Sequence, residues 1–172
     1  MLARRPGVPE VLLLASTAAL ESGQLAEAEK LARQAVRARR DGPAQLMLGR
    51  ALLAQDRPAA AREPLTAAGG DPRVGADAAF LLGECCGRLG DLPAAIEAYA
   101  GAVRTNPQHA AAWLALGRRL SAAGRHGQAL EALATARALR PDDAGVAAAC
   151  GLAALAAGRY DEARDAADRA TA

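Results

Sequence analysis

The chain has 172 residues, a formal net charge of +2 at pH 7 and a pI near 8.6. This balance does not favour nucleic-acid binding, for which a strongly basic face is expected. No apolar run reaches the ~18–20 residues that a membrane-spanning helix needs. Aromatic residues make up only 2% of the chain, so we expect an alanine-rich core that depends on helix propensity and close backbone packing.

Small residues recur along the chain at a fixed spacing. One series is Ser16, Gly49, Gly83, Gly117 and Gly151, with gaps of 33, 34, 34 and 34 residues. Three further series keep that spacing: Gly23, Asp56, Gly90, Gly124 and Gly158; Ala28, Ala61, Ala95, Ala129 and Ala163; Ala35, Ala68, Ala102, Ala136 and Ala170. A 34-residue period predicts a solenoid of helical hairpins, in which each hairpin buries its apolar face against its neighbours.

The N-terminal segment has two interpretations. Arg4 and Arg5 precede an apolar run at residues 11–20, as in a signal peptide, which would direct the chain to the periplasm. That run also keeps the repeat register at Ser16 and leads directly into Gly23. We therefore interpret residues 1–8 as a short leader and the run as the first repeat helix, and we expect a cytoplasmic protein.

The second predicted helix carries basic residues at helical spacing, namely Lys30, Arg33, Arg37 and Arg40. The simpler interpretation is a solvated face whose last turn complements the helix dipole. The alternative is a docking patch for an anionic partner.

The second hairpin departs from the pattern. Asp56 replaces the turn glycine, and Pro72 lies one place early, beside Gly69 and Gly70. Because proline and glycine disfavour continuation of a helix, we expect the fourth helix to end early.

The cysteines have no regular spacing. Adjacent helical residues point about 100° apart, so Cys85 and Cys86 suit neither a zinc site nor a disulfide. We expect Cys86 and Cys150 to be buried as small apolar residues. An odd number of cysteines fits a reducing compartment.

Residues 110–143 show one hairpin most clearly. Its first helix places an apolar face at i, i+3, i+4 and i+7, a glycine ends that helix, a second helix follows, and a proline closes the unit. We expect Gly117 and Ala129 to face each other so that the two backbones approach closely. The residues are Trp113, Leu116, Gly117, Leu120, Gly124, Ala129, Leu133, Ala136 and Pro141.

This pattern resembles the tetratricopeptide repeat (TPR). Five copies are present, at about residues 9–41, 42–75, 76–109, 110–143 and 144–172. The resemblance implies an all-α fold, a right-handed α-solenoid of antiparallel helix pairs with about ten helices, in one array over residues 9–172. It also implies a concave groove, lined by the first helix of each unit, that binds a peptide or helix.

The resemblance assigns candidate partner contacts to those first helices. They are Leu13, Thr17, Leu46, Arg50, Leu53, Phe80, Glu84, Arg88, Leu114, Arg118, Ser121 and Leu152, and the wider set adds Leu20, Asp77, Ala148 and Leu155. Two alternatives stay open for each leucine, which either contacts a partner or packs between units. Because arginine can bind a carboxylate through two parallel hydrogen bonds, we expect an amphipathic partner segment with acidic residues.

No catalytic motif is recognisable. HExxH, CxxC, GxSxG and a phosphate-binding loop are absent from the sequence, and His109 and His126 are expected in surface turns. We therefore expect a non-enzymatic bacterial scaffold or adaptor without cofactor or metal, capable of end-to-end self-association. The alternatives are the TPR arm of a larger enzyme, of the glycosyltransferase, sulfotransferase or hydroxylase type, and a part of a pilus or secretion assembly.

Overall fold

The computed structural model describes residues 8–171, with side chains through residue 168. This range contains ten α-helices and no strand, and none of its helices combines the length and apolarity needed to cross a membrane. Residues 1–7 of the leader, including Arg4 and Arg5, and the side chain of Ala170 lie outside the described residues. The helices are α1 (Val8–Glu21), α2 (Leu25–Ala38), α3 (Gly42–Ala54), α4 (Pro58–Ala68), α5 (Gly75–Arg88), α6 (Leu92–Thr105), α7 (Ala110–Ala122), α8 (His126–Leu139), α9 (Ala144–Ala156) and α10 (Tyr160–Thr171).

The chain forms two compact units, Met1–Asp91 and Leu92–Ala172. In the first unit, α1 packs on α2 and α3 on α4, while α3 also contacts α2 and α5 contacts α4. In the second unit, α7 packs on α8 and α9 on α10, while α6 contacts α7 and α8 contacts α9. The predicted all-α fold of stacked helix pairs is confirmed. A single array over residues 9–172 stays a prediction.

The turn inside each hairpin follows one design. Gly23, Gly90, Gly124 and Gly158 have φ between +71° and +76°, the left-handed conformation predicted for them. Asp56 occupies the equivalent position in the second hairpin with φ +54°, so this hairpin has the same turn although an aspartate stands where the other hairpins have glycine. In each turn, the amide of the next residue donates to a carbonyl five residues back, as in Arg125 N to Leu120 O at 2.9 Å, which satisfies the helix end.

Side chains cap the N-termini of three first helices, α3, α7 and α9. Asp41 and Asp143 cap α3 and α9 by accepting hydrogen bonds from Ala44 N and Val146 N, both at 3.1 Å. His109 caps α7 in the same way through Nδ1, so this half-buried histidine has a structural role. At the other end of a hairpin, α4 is the shortest helix and stops at Ala68, which confirms its predicted early end.

Small residues allow the two helices of a hairpin to approach closely. A methyl group added to Gly117 would lie 2.5 Å from Leu133 Cγ and 3.2 Å from the Ala129 carbonyl oxygen. The same arrangement occurs in the first unit, where a methyl on Gly49 would lie 2.4 Å from Leu65 Cδ2. The predicted proximity of Gly117 and Ala129 is confirmed, and a large leucine from the second helix covers each glycine.

The first helices of successive hairpins approach each other more closely than the second helices do. Contacts join α1 to α3 and α3 to α5 in the first unit, and α7 to α9 in the second. Among the described residues, the second helices α2 and α4, α6 and α8, and α8 and α10 make no comparable contacts. Within each unit, therefore, the first helices form a continuous face, and clefts separate the second helices.

Candidate partner-binding surface

The first-helix face of the N-terminal unit is formed by α1, α3 and α5. Leu46 and Leu53 on α3 are only 8% and 5% exposed, and they belong to the apolar cluster against which Leu13 packs. Thr17 is half-buried and donates to the Leu13 carbonyl at 3.0 Å. The structure therefore places these leucines between helices, the second of their two alternatives, and leaves little of Leu46 or Leu53 for a partner.

Two arginines are exposed on this face. Arg50 is exposed, and within the described part of the chain it makes no hydrogen bond or ion pair. Arg88 is also exposed, but its guanidinium donates to the Leu53 carbonyl at 2.7 Å, so it also satisfies the end of α3. Phe80 and Glu84 are half-buried beside it on α5. The face formed by α1, α3 and α5 is therefore more polar than the leucines in the sequence indicated.

The first-helix face of the C-terminal unit, formed by α7 and α9, is more apolar. Leu152 is 69% exposed and Leu155 is 53% exposed. Leu114 is half-buried and packs against the apolar cluster formed by α8, α9 and α10, and Ser121 is half-buried. Arg118 is exposed and donates to the Gly145 carbonyl at 3.2 Å.

The carboxylates with lowered pKa values hold the scaffold and lie off this face. Hydrogen bonds from Arg73 lower the pKa of Asp71 to about 2, and Gly42 N also donates to Asp71, at 3.3 Å. Because its folded-state pKa is lowered, Asp71 stabilises the fold above its usual pKa near 3.8, and this contribution is lost as the pH falls towards 2. On α2, burial opposes ionisation of Glu29, but hydrogen bonds from Arg33 and Gln55 and the charge of Arg57 prevail, so its pKa is lowered.

The cysteines are packing residues. Cys85, Cys86 and Cys150 are all buried, as predicted for Cys86 and Cys150. Burial raises the pKa of the Cys85 and Cys86 thiols, so they stay protonated and weakly nucleophilic. In the part of the chain that the structure describes, no three His, Cys, Asp or Glu side chains are grouped to hold a metal ion.

Sequence reasoning missed the clefts between second helices. One lies between α2 and α4 and is floored by α3, with a volume of about 560 Å³. In the other unit, clefts of about 430 and 560 Å³ separate α6 from α8 and α8 from α10. Two signals were available in the sequence: Pro64 inside α4, and the basic cluster of the second helix, whose Arg33, Arg37 and Arg40 line the first of these clefts together with that proline.

Comparison with known proteins agrees with this architecture. Models of the tetratricopeptide repeat match residues 13–73, 46–110, 88–152 and 144–169. A crystal structure of MamA is similar to this one with a TM-score of 0.80 and 25% sequence identity, over 91% of this chain and 92% of that one. A second MamA structure gives a TM-score of 0.81 at 24% identity, over 95% and 90% of the two chains.

A further solved structure with this fold is YrrB, described as a TPR protein with an unusual peptide-binding site. It has a TM-score of 0.74 and 18% identity over 92% of this chain and 82% of YrrB. A search of curated protein sequences found no match. The repeat models span most of the helices described above, and the chain belongs to the tetratricopeptide repeat family.

Proposed function

We propose that this chain is a non-enzymatic protein-interaction scaffold that binds a peptide or helical segment on its first-helix faces. The observation that carries the proposal is the exposure of side chains at one repeat position on these faces. Arg50, Arg118 and Leu152 occupy the same repeat position on α3, α7 and α9, and all three side chains are exposed, whereas Thr17 and Glu84 at that position on α1 and α5 are half-buried. A side chain that stays exposed on the first-helix face is available to a partner.

The exposed groups define the chemistry of the partner. The Arg50 side chain has no partner in the described chain, and Arg118 donates only to a backbone carbonyl, so each guanidinium can donate hydrogen bonds to a carboxylate. Leu152 and Leu155 offer apolar contact on α9. A segment that binds the N-terminal unit is therefore expected to carry an acidic residue opposite Arg50. A segment that binds the C-terminal unit is expected to be amphipathic, with an acidic residue opposite Arg118 and apolar residues opposite Leu152 and Leu155.

Charge reversal tests this surface. The double variant Arg50→Glu, Arg118→Glu is expected to weaken capture of the natural partner from a lysate at least about tenfold, because like charges then face its carboxylates. The control is Arg104→Glu, Arg137→Glu, which changes the net charge equally but lies on the second helices α6 and α8. Quantitative mass spectrometry compares the two captures. Equal capture by both variants would exclude the first-helix faces as the binding surface.

We also propose that copies of the chain associate through the outer face of the first hairpin. Val11 and Leu14 on α1 are 62% and 72% exposed, whereas the equivalent residues of α3, Ala44 and Met47, are 1% and 8% exposed. The equivalent of the exposed Leu155 is Leu53, which is buried. The first and last hairpins therefore expose apolar positions that the inner hairpins bury, and a second copy can cover them.

Light scattering after gel filtration tests the association. The wild-type mass is expected to rise with protein concentration, and Val11→Glu, Leu14→Glu is expected to remain monomeric with an unchanged helical circular dichroism spectrum. A wild-type chain that stays monomeric at every concentration would contradict the proposal.

The first-helix faces would also be the binding surface if the array is the arm of a larger enzyme. The sequence of the complete gene product tests that alternative, because it would then encode a catalytic domain as well.

We also propose that the protein is cytoplasmic. The buried free cysteines support this location, where thiols stay reduced.

A further inference from the structure

The cleft between α2 and α4, hereafter the α2–α4 cleft, has a composition suited to a ligand. Its floor is apolar and includes Leu48 and Leu52 of α3, which are 8% and 1% exposed. Its volume of about 560 Å³ lies in the ~300–1,000 Å³ range of ligand-binding clefts. The cleft lies on the side of the hairpins opposite the first-helix face, so it is separate from the surface of the proposed function.

A polar side chain lines this cleft beside its apolar floor. Gln45 of α3 is 7% exposed and lines the cleft, and its side-chain amide makes no hydrogen bond with the described residues. The amide is not one of the fully buried side-chain groups that lack a partner, so it is reached from the cleft. A ligand in the cleft can therefore form hydrogen bonds with it in place of water.

A second polar group comes from the backbone of α4. Pro64 lies inside this helix and has no amide hydrogen, so the carbonyl of Ala60 lacks its usual donor four residues later. Both residues line the α2–α4 cleft. The carbonyl can therefore accept a hydrogen bond from a ligand.

The charge around the cleft is positive. Arg33 and Arg37 of α2, together with Arg40 just beyond it, line the cleft, and Glu63 is the acidic residue among the lining side chains. Arg33 binds Glu29 at 2.7 Å, but Arg37 and Arg40 form no ion pair within the described residues. The basic cluster on α2 thus borders an apolar cleft, which favours its interpretation as an anionic docking patch over that of a solvated face.

We propose that the α2–α4 cleft is a second docking site, which binds a short segment of a partner protein whose apolar side chains are flanked by carboxylates. The apolar side chains cover Leu48 and Leu52, the carboxylates pair with Arg37 and Arg40, and a polar group of the segment satisfies Gln45. A small inorganic anion would use the arginines but would leave the apolar floor and the Gln45 amide uncovered. A peptide satisfies all three features.

Selection from a random peptide display library tests this site without knowledge of the natural partner. The immobilised full chain is the target, and peptides that bind it are synthesised with a fluorophore for anisotropy titration. At least one enriched family is expected to carry two or more Asp or Glu residues beside leucine-like residues. Its affinity is expected to fall at least about tenfold in Arg37→Glu, Arg40→Glu.

Two further variants separate this site from the fold and from the first-helix faces. Gln45→Leu keeps the volume and removes the polar group, so it is expected to retain or raise the thermal stability while weakening this peptide family several-fold. Arg50→Glu, Arg118→Glu is expected to leave these peptides unaffected, although it weakens the partner of the first-helix faces. The control Arg104→Glu, Arg137→Glu is expected to bind normally.

Three results would overturn the proposal. One is the absence of any peptide family sensitive to Arg37→Glu, Arg40→Glu. Another is an enriched family that depends on those arginines but lacks apolar residues, which would indicate a simple anion site. The third is an unchanged affinity in Gln45→Leu. None of these results bears on the first-helix faces, whose test depends on Arg50 and Arg118.

Discussion

Leu133→Ala is expected to lower the free energy of unfolding by about 2–5 kcal/mol, as buried leucine truncations do. Leu133 is 1% exposed and lies directly over Gly117, so its removal leaves a cavity where two helix backbones approach closely. Urea unfolding followed by the fluorescence of Trp113 measures the loss, because this single tryptophan lies on α7 beside that contact.

The matched control is Leu152→Ala in the same unit. Because Leu152 is 69% exposed, its truncation is expected to change stability by less than about 0.5 kcal/mol. A Leu133→Ala variant as stable as Leu152→Ala would show that the leucine-over-glycine contact does not hold this hairpin together.

The second large effect concerns two glycines at equivalent repeat positions, Gly117 and Gly151, whose replacement by alanine is expected to change the free energy of unfolding differently. Gly117→Ala is expected to destabilise the chain by about 1–3 kcal/mol, because its methyl would meet Leu133 Cγ at 2.5 Å and the Ala129 carbonyl oxygen at 3.2 Å. In Gly151→Ala the nearest atoms lie 3.4 Å away, an ordinary contact distance. That variant is expected to be neutral or to gain up to about 1 kcal/mol from helix propensity.

Combining two changes tests the cause. In Gly117→Ala, Leu133→Ala the new methyl enters space that the leucine has vacated, so the double variant is expected to be more stable than additivity predicts by about 0.5–3 kcal/mol. Equal losses in Gly117→Ala and Gly151→Ala, or strict additivity in the double variant, would contradict the packing described for residues 110–143.

The period of the small residues was sufficient to predict the hairpins. Each turn glycine has one physical role, a left-handed residue that ends a helix, and Gly49 and Gly117 on first helices have another, close approach of the second helix. These roles depend on residues near in sequence, so the register can be read without coordinates. Even Asp56, which lacks the freedom of glycine, retains the turn with φ +54°.

The exposure of individual leucines could not be predicted in this way. Leu53 and Leu155 occupy the same repeat position, yet the first is 5% exposed and the second 53%. The difference arises because α3 has a following hairpin helix, α5, packed against it, which a single-hairpin pattern does not encode. The candidate partner contacts assigned from the sequence therefore include both residues that pack between helices, such as Leu46, and residues that face solvent, such as Leu152.

The α2–α4 cleft was hidden for a related reason. Arg37 and Gln45 belong to different helices and different repeats, and only the packing of α2 on α3 brings both to one cleft. In the sequence, the basic cluster looks like an ordinary helix end. The interpretation changes once the cluster is seen to border an apolar cleft into which the Gln45 amide opens.

Mapping a bound segment by amide chemical shifts tests the central claim most directly. The segment comes from a partner captured through the first-helix faces, and it is titrated into the isotopically labelled chain. The account predicts the largest shifts on α3, α7 and α9, around Arg50, Arg118 and Leu152. Shifts confined to the second helices α6, α8 and α10, with those three positions unchanged, would contradict it.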